Sequence, residues 1–230
     1  MAPPQPPSPA KALASRDAFE DALAYFEAQQ PVLKDVWDAL SDAAREQAIT
    51  VAGVTQIEVI QQVLVALETA VAEGTTIEDF AATVSASLES AWGGTVASPA
   101  FRIETIFRTN TQVAYAAGRY QVATHPDIVS VRPQWMFSAV LDSRTSPMCR
   151  PLDGLIRPAD SGFWNGRHPP LHHRCRSSII TLRNDQAKDM GGAHDIPEHD
   201  LAASGFGGIP KLDWAPEPAA FLPELQSALP

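Results

Sequence analysis

Nowhere does this 230-residue chain approach the eighteen or so consecutive apolar residues that a membrane-spanning helix requires, which excludes a membrane from its expected partners. Cysteine is scarce: Cys149 and Cys175 are the only two, too few for a disulfide-stapled scaffold. In a reducing compartment they read as thiols or ligands rather than a bridge. The N-terminus lacks the apolar core of a secretory signal. Met1 to Pro9 instead carries five prolines, the mark of an extended, solvated arm on a chain made and first used in a cytoplasm. Lysine is nearly missing as well, with four among seventeen basic residues and none between residues 94 and 185.

What is there is apolar material for a real core, 45% of residues, and an uneven distribution of charge. Residues 1–93 hold four basic against fourteen acidic side chains; residues 94–185 hold eleven arginines against six acidic side chains; residues 186–230 hold two basic against seven acidic. An acidic arm, an arginine-rich centre and an acidic tail imply three different surroundings. Surface solubility and internal ion pairs account for the arginines first. Contact with phosphate or an acidic partner is the sharper alternative, because the guanidinium fork fits phosphate oxygens.

The pattern predicts an α+β fold: a helical N-terminal region, a long helix packed on a small antiparallel sheet, and an extended C-terminal tail. Four segments follow: a Pro-rich arm over 1–14, an acidic helical region over 15–93, an α+β unit over 94–185 and a Gly/Pro-rich tail over 186–230. Ser15 caps a first helix to Gln29 carrying Phe19, Leu23 and Phe26, and Pro31 interrupts before a second with Leu33, Val36, Trp37 and Leu40. Ile57, Ile60, Leu64, Leu67 and Val71 recur at helical spacing within 54–71, with Gly74 as the stop. Thr75 and Glu78 form a capping box for a helix bearing Phe80, Val84 and Leu88, and Gly93-Gly94 is the break.

Ser98-Pro99 opens a long helix to about Ala123. Its stripe of Ile103, Phe107, Ala114 and Ala117 includes Asn110, expected to tie the helix to the next layer. Beyond His125-Pro126, residues 134–141, 155–157 and 177–182 read as three short strands, with a turn at Asp153-Gly154. Six prolines and five glycines after Arg183 deny regular structure to the tail, which is expected to order only against a partner.

The chemistry-bearing residues are Asp142, Arg144, Thr145 and Cys149, then Asp153-Gly154, then His172, His173, Arg174, Cys175 and Arg176. One thiol meets a His-x-x-Cys pair further along. Thiolate and imidazole together bind zinc, with a fourth ligand from Asp142, His173, His168 or water. Three readings stay open: a metal held by Cys149, His172 and Cys175; cysteines that approach closely as thiols or a disulfide, with His172 and Asp142 hydrogen-bonding the loops; and Cys149 or Cys175 as a nucleophile assisted by His172. Structural hydrogen bonding comes first and catalysis last, because no oxyanion loop is identifiable in the sequence. Arg174 and Arg176 are the candidates for DNA or partner contact.

The ordered run of Trp135, Asp142-Ser-Arg144-Thr145-Ser-Pro, Cys149, Asp153-Gly154, Phe163-Trp164 and Pro169-Pro170-Leu171-His172…Cys175-Arg176 resembles the phage Mu F-like family of minor head proteins. The preceding Arg108-Thr109-Asn110 resembles that family's Arg-Thr-acid helix, with Asn110 in place of the acid. The resemblance spans about residues 98–182. It carries over to Asp142, Arg144, Thr145, Cys149, Asp153, Gly154, His172, Cys175 and Arg176. Two departures stand out: His173-Arg174 replaces Pro-Asn, and Ser177 replaces a final cysteine, which weakens a metal site.

The resemblance implies a non-enzymatic minor capsid and head-morphogenesis protein, assembled in the host cytoplasm and carried in the virion, at the capsid interior or portal vertex. Its implied partners are the portal protein and the major capsid or scaffolding protein, with packaged phage DNA as a further contact. No cofactor is required on that reading. The alternative from another class is a zinc-stabilised or cysteine-based enzyme or toxin-delivery module. Against it stands the segment after Leu182, which is too short and too rich in Gly and Pro for a toxin domain.

Overall fold

The computed structural model describes residues 20–45, 47–191, 202, 203 and 205–208. The Pro-rich arm, the proposed cap at Ser15 and most of the tail lie outside them. Residues 20–27 are helical (α1) and bury Ala22 and Phe26 completely. A short helix α2, Lys34–Ala39, and one turn, α3, Asp42–Arg45, follow. Around them run two two-residue strands that pair in parallel, β1 (Gln30–Pro31) with β2 (Ala48–Ile49). Pro31 thus begins an extended step between helices, as its locked φ and missing N–H favour.

Two longer helices complete the N-terminal layer. α4, Ile57–Glu73, presents Ile60, Val63, Leu64, Leu67 and Val71 to the core and ends on Gly74, whose φ of 68° closes the helix in the left-handed region. α5, Ile77–Trp92, buries Phe80, Val84, Leu88 and Trp92. Its capping box is Thr76 with Asp79, one residue beyond the expected Thr75–Glu78 pair. Ile77 is the first helical residue, so Thr76 holds the extended backbone from which a hydroxyl reaches the third helical N–H.

The long helix α6, Pro99–Thr124, starts with proline at its first position as expected, but Ser98 makes no side-chain cap bond. A further helix, α7 (Pro126–Val131), follows at once and was not anticipated; the imidazole of His125 accepts from the Asp127 N–H. The sheet has the order β4-β3-β5, all antiparallel: β3 is Gln134–Ser138, β4 Ile156–Pro158 and β5 Ser178–Leu182. β3 stops earlier than the expected 141 because the Ala139 N–H turns to the Asp153 carboxylate at 2.7 Å. Asn184–Asp189 forms a helix, α8, where an extended tail was expected to begin. Ala187 there packs on Ile156 and Leu182, an apolar contact strong enough to order that turn.

Two cores result, and α6 belongs to both. Ile103, Phe107 and Ala114 pack with α1, α4 and α5 in the helical core. Tyr120 and Ala123 pack with Trp135, Phe137, Leu152, Leu155, Trp164 and Leu171 in the sheet-side core.

Candidate functional site

Cys149, His172 and Cys175 come together on the sheet-side core. Cys149 ends a turn fixed by Ser146, whose hydroxyl and carbonyl both accept from the Cys149 N–H, at 3.1 and 3.2 Å. A single turn of 3-10 helix, Arg150–Leu152, then buries Leu152 and delivers the Asp153-Gly154 turn. Gly154, at φ 76°, donates to the Phe137 carbonyl at 2.9 Å, which locks this loop to β3. The other side is the turn 171–177, closed by the Cys175 N–H on the His172 carbonyl at 3.2 Å.

The Cys149 Sγ lies 3.3 Å from His172 Nε2 and 3.8 Å from the Cys175 Sγ. Both cysteines are buried and are free thiols in this geometry. The His172 Nδ1 is 2.8 Å from the His173 carbonyl. A carbonyl only accepts, so Nδ1 carries the proton and Nε2 turns its lone pair to the sulfurs. The Cys149–Cys175 hydrogen bond is the largest influence on both thiols: it holds Cys175 down and pushes Cys149 up. Backbone hydrogen bonds at Leu171 and Ser177 further lower Cys175. The pair therefore gives up one proton readily and keeps the second.

Around this cluster the remaining motif residues form a clamp. Arg176 grips Asp142 through two hydrogen bonds of 2.7 and 2.6 Å, the bidentate geometry that favours arginine over lysine. The Arg176 bond, then the Arg144 backbone N–H at 2.8 Å, hold the Asp142 carboxyl well below the usual range. Thr145 accepts from the Asp142 N–H at 2.7 Å and donates to the Val140 carbonyl, while Arg150 donates to the Asp142 carbonyl at 2.8 Å. Arg144 itself is mostly exposed, with a looser 3.9 Å contact to Asp142.

The proposed fourth ligands separate. Asp142 is committed to Arg176. The His173 ring meets Phe206 edge-on at 4.9 Å. His168 is buried among Tyr120 and Trp135, at 5.5 and 5.9 Å between ring centroids, and burial pushes it down to about 4. Among the described residues, the cluster that could hold a metal comprises Cys149, His172 and Cys175.

Arg174 makes a different set of contacts from Arg176. It sits at φ 58°, a left-handed conformation rare for a residue with a Cβ. Its N–H donates to Thr109 Oγ1 at 3.1 Å, its guanidinium reaches Glu104 at 2.9 Å and stacks 4.5 Å over the Phe101 ring. Gln112 adds a 2.8 Å bond to the Ser177 carbonyl. These residues, not Asn110, tie α6 to the cysteine turn. The Asn110 side chain bends back to the Ile106 carbonyl of its own helix. Gln112 and Glu104 gave no signal in the sequence because polar residues beside an apolar stripe look like solvated ones, and Thr109 stood in the quoted Arg108-Thr109-Asn110 motif without a role. Ser177, read there as a lost ligand, is buried, and its side chain draws the Cys149 thiol down against the larger upward push of Cys175.

A segment from the tail closes over the same turn. The N–H groups of Ala202, Ala203 and Gly207 donate to the carbonyls of Gly166, Leu171 and Pro170, at 3.2, 2.9 and 3.0 Å. A Cβ on Gly207 would lie 2.7 Å from the Gly166 carbonyl oxygen, so only glycine passes here.

A long helix packed on a three-stranded antiparallel sheet is the arrangement expected from the hydrophobic pattern, and the motif residues that resemble the phage head-protein family gather where the two meet. Comparison with known proteins agrees: the family model described as Phage Mu protein F like protein matches residues 61–180, and the chain belongs to that family. The "Putative capsid assembly protein F" of Escherichia phage Mu is 32% identical over 196 residues, covering 78% of this chain and 44% of the relative. The "Mu-like prophage FluMu F protein" of Haemophilus influenzae is 32% identical over 166 residues, covering 67% and 39%. The chain thus spans less than half the length of these curated relatives. No solved structure matches it. The match begins within α4, so it takes in most of that helix and all of α5 as well as residues 98–180 of the stretch that carries the motif resemblance.

Proposed function

We propose that this chain is a minor head protein that works as a structural part in phage capsid assembly, bound at the portal vertex on the inner side of the head. The observation that carries the reading is the 32% identity to a protein named for capsid assembly over most of this chain. The site agrees with a structural role. Its charged residues satisfy one another, Asp142 with Arg176 and Glu104 with Arg174, and its thiols face inward. Such a knot fixes loops for display to a partner rather than turning over a substrate.

The portal protein is the first partner on this reading, and the major capsid or scaffolding protein the second. The acidic helices α1, α2, α4 and α5 offer the protein-facing surface on this reading. A DNA contact through Arg174 and Arg176 would exchange Glu104 and Asp142 for phosphates. An unchanged salt dependence of DNA retention after Arg174→Ala and Arg176→Ala would count against it.

The test of the main reading is co-purification. Tagged chain expressed with the portal and capsid proteins of its own phage should bring down the portal protein and be found in assembled heads at low copy. Heads that form normally without it, together with no portal recovery, would sink the proposal.

A further inference from the structure

We propose that Cys149, Cys175 and His172 bind a zinc ion, with the fourth coordination position left to a water molecule beside the Ser177 hydroxyl. The geometry is the first argument. Tetrahedral zinc with sulfur bonds of about 2.3 Å sets two sulfurs about 3.8 Å apart, and a sulfur and an imidazole nitrogen about 3.5 Å apart. Here the sulfurs are 3.8 Å apart and Cys149 Sγ is 3.3 Å from His172 Nε2, while Cys175 Sγ and His172 Nε2, within 4.8 Å of each other, would draw closer around the ion. A disulfide needs about 2.05 Å between sulfurs, so the pair is spaced as two ligands rather than as a bond.

The second argument is the imidazole. Its Nδ1–H is held by the His173 carbonyl, the partner that fixes a metal-binding histidine with Nε2 free to coordinate. The third is charge. A zinc dication with two thiolates and a neutral imidazole is neutral overall, which suits cysteines only 2% and 3% exposed. Two thiol protons leave to solvent as the metal enters, less whichever proton the pair has already released. Ser177, two residues beyond Cys175, is buried, and its side chain acts on the Cys149 thiol, which sets it beside the cluster without adding a thiolate. With serine there, the site keeps three protein ligands and one exchangeable position.

The test uses the full chain, purified without a histidine tag from zinc-replete cells. Elemental analysis should give about one zinc per chain. Cobalt added to metal-free protein should give the absorption of thiolate-to-cobalt charge transfer and of tetrahedral coordination. Cys175→Ser and His172→Gln should each weaken zinc more than about tenfold, since even outer-sphere partners carry ten- to hundredfold effects. Ser177→Cys should tighten it, a gain that a misfolded variant cannot imitate, and Ser177→Ala should leave it near the parent value. Zinc content well below one per chain, with cobalt showing no thiolate band, would overturn the proposal. So would a mass two hydrogens lighter under non-reducing conditions, the sign of a disulfide, or zinc retained undiminished by Cys175→Ser.

Discussion

His168 and Asp142 give the molecule two separate responses to acid. His168 is buried and neutral, with its ionisation held down to about 4 by burial, against 6.5 in an open chain. The unfolded state therefore binds the extra proton first, and stability falls as pH drops from about 6.5 towards 4. The loss should reach roughly 2 kcal/mol by pH 5, read from urea unfolding at several pH values, and His168→Phe should flatten that slope. Asp142 is likewise depressed in the fold, but from 3.8, so its contribution is present at neutral pH and is lost only at more acid pH than that. Asp142→Asn should leave the pH 5 to 7 profile unchanged while hydrogen exchange quickens at residues 142–145, where Arg176 loses the carboxylate it grips.

The motif residues were legible at this scale because their side-chain chemistry is distinctive: Asp142, Arg176, Cys149, His172 and Cys175 do converge. Their partners were not. Thr109 and Gln112 act through single hydrogen bonds to residues 65 positions away that only the tertiary contact reveals, and Asn110, chosen for its place in an apolar stripe, turned to its own backbone.

At the level of elements, Thr76 and Asp79 hold the start of α5 by reciprocal bonds of 3.2 and 3.0 Å. Thr76→Ala should cost about 1 kcal/mol, read as a lower urea midpoint, and Thr75→Ala should cost little. The one-residue difference from the expected box shows what pattern reading resolves: S/T-x-x-D/E occurs twice in overlapping registers here, and only the backbone decides between them. The long helices α4, α5 and α6 were visible in advance because each buries a stripe at a 3.6-residue period. The three sheet strands were visible through their β-branched and aromatic residues. The two-residue strands β1 and β2, the short helices α3 and α7 and the turn α8 were not, since each is too brief to carry a period and is held by contacts distant in sequence.

For the molecule as a whole, the sharing of α6 between both cores predicts one cooperative unfolding transition. Leu67→Ala, in the helical core and fully buried, should lower stability by about 2–5 kcal/mol. Slowly exchanging amides in β3, in the other core, should lose protection by the same free energy. Unequal loss would mean that the two cores open separately.

The same sharing has a mechanical side. α6 holds 26 residues, a rod about 39 Å long, with the helical layer gripping its first half and the sheet its second. No loop intervenes along that rod to absorb a displacement. Force taken up by the acidic helices would therefore travel as strain along α6, through Glu104 to the guanidinium and Thr109 to the backbone N–H of Arg174, and so to the cysteine turn. A partner pulling at one end would be felt as a change in tension at the other, which makes the chain a strut rather than a tether.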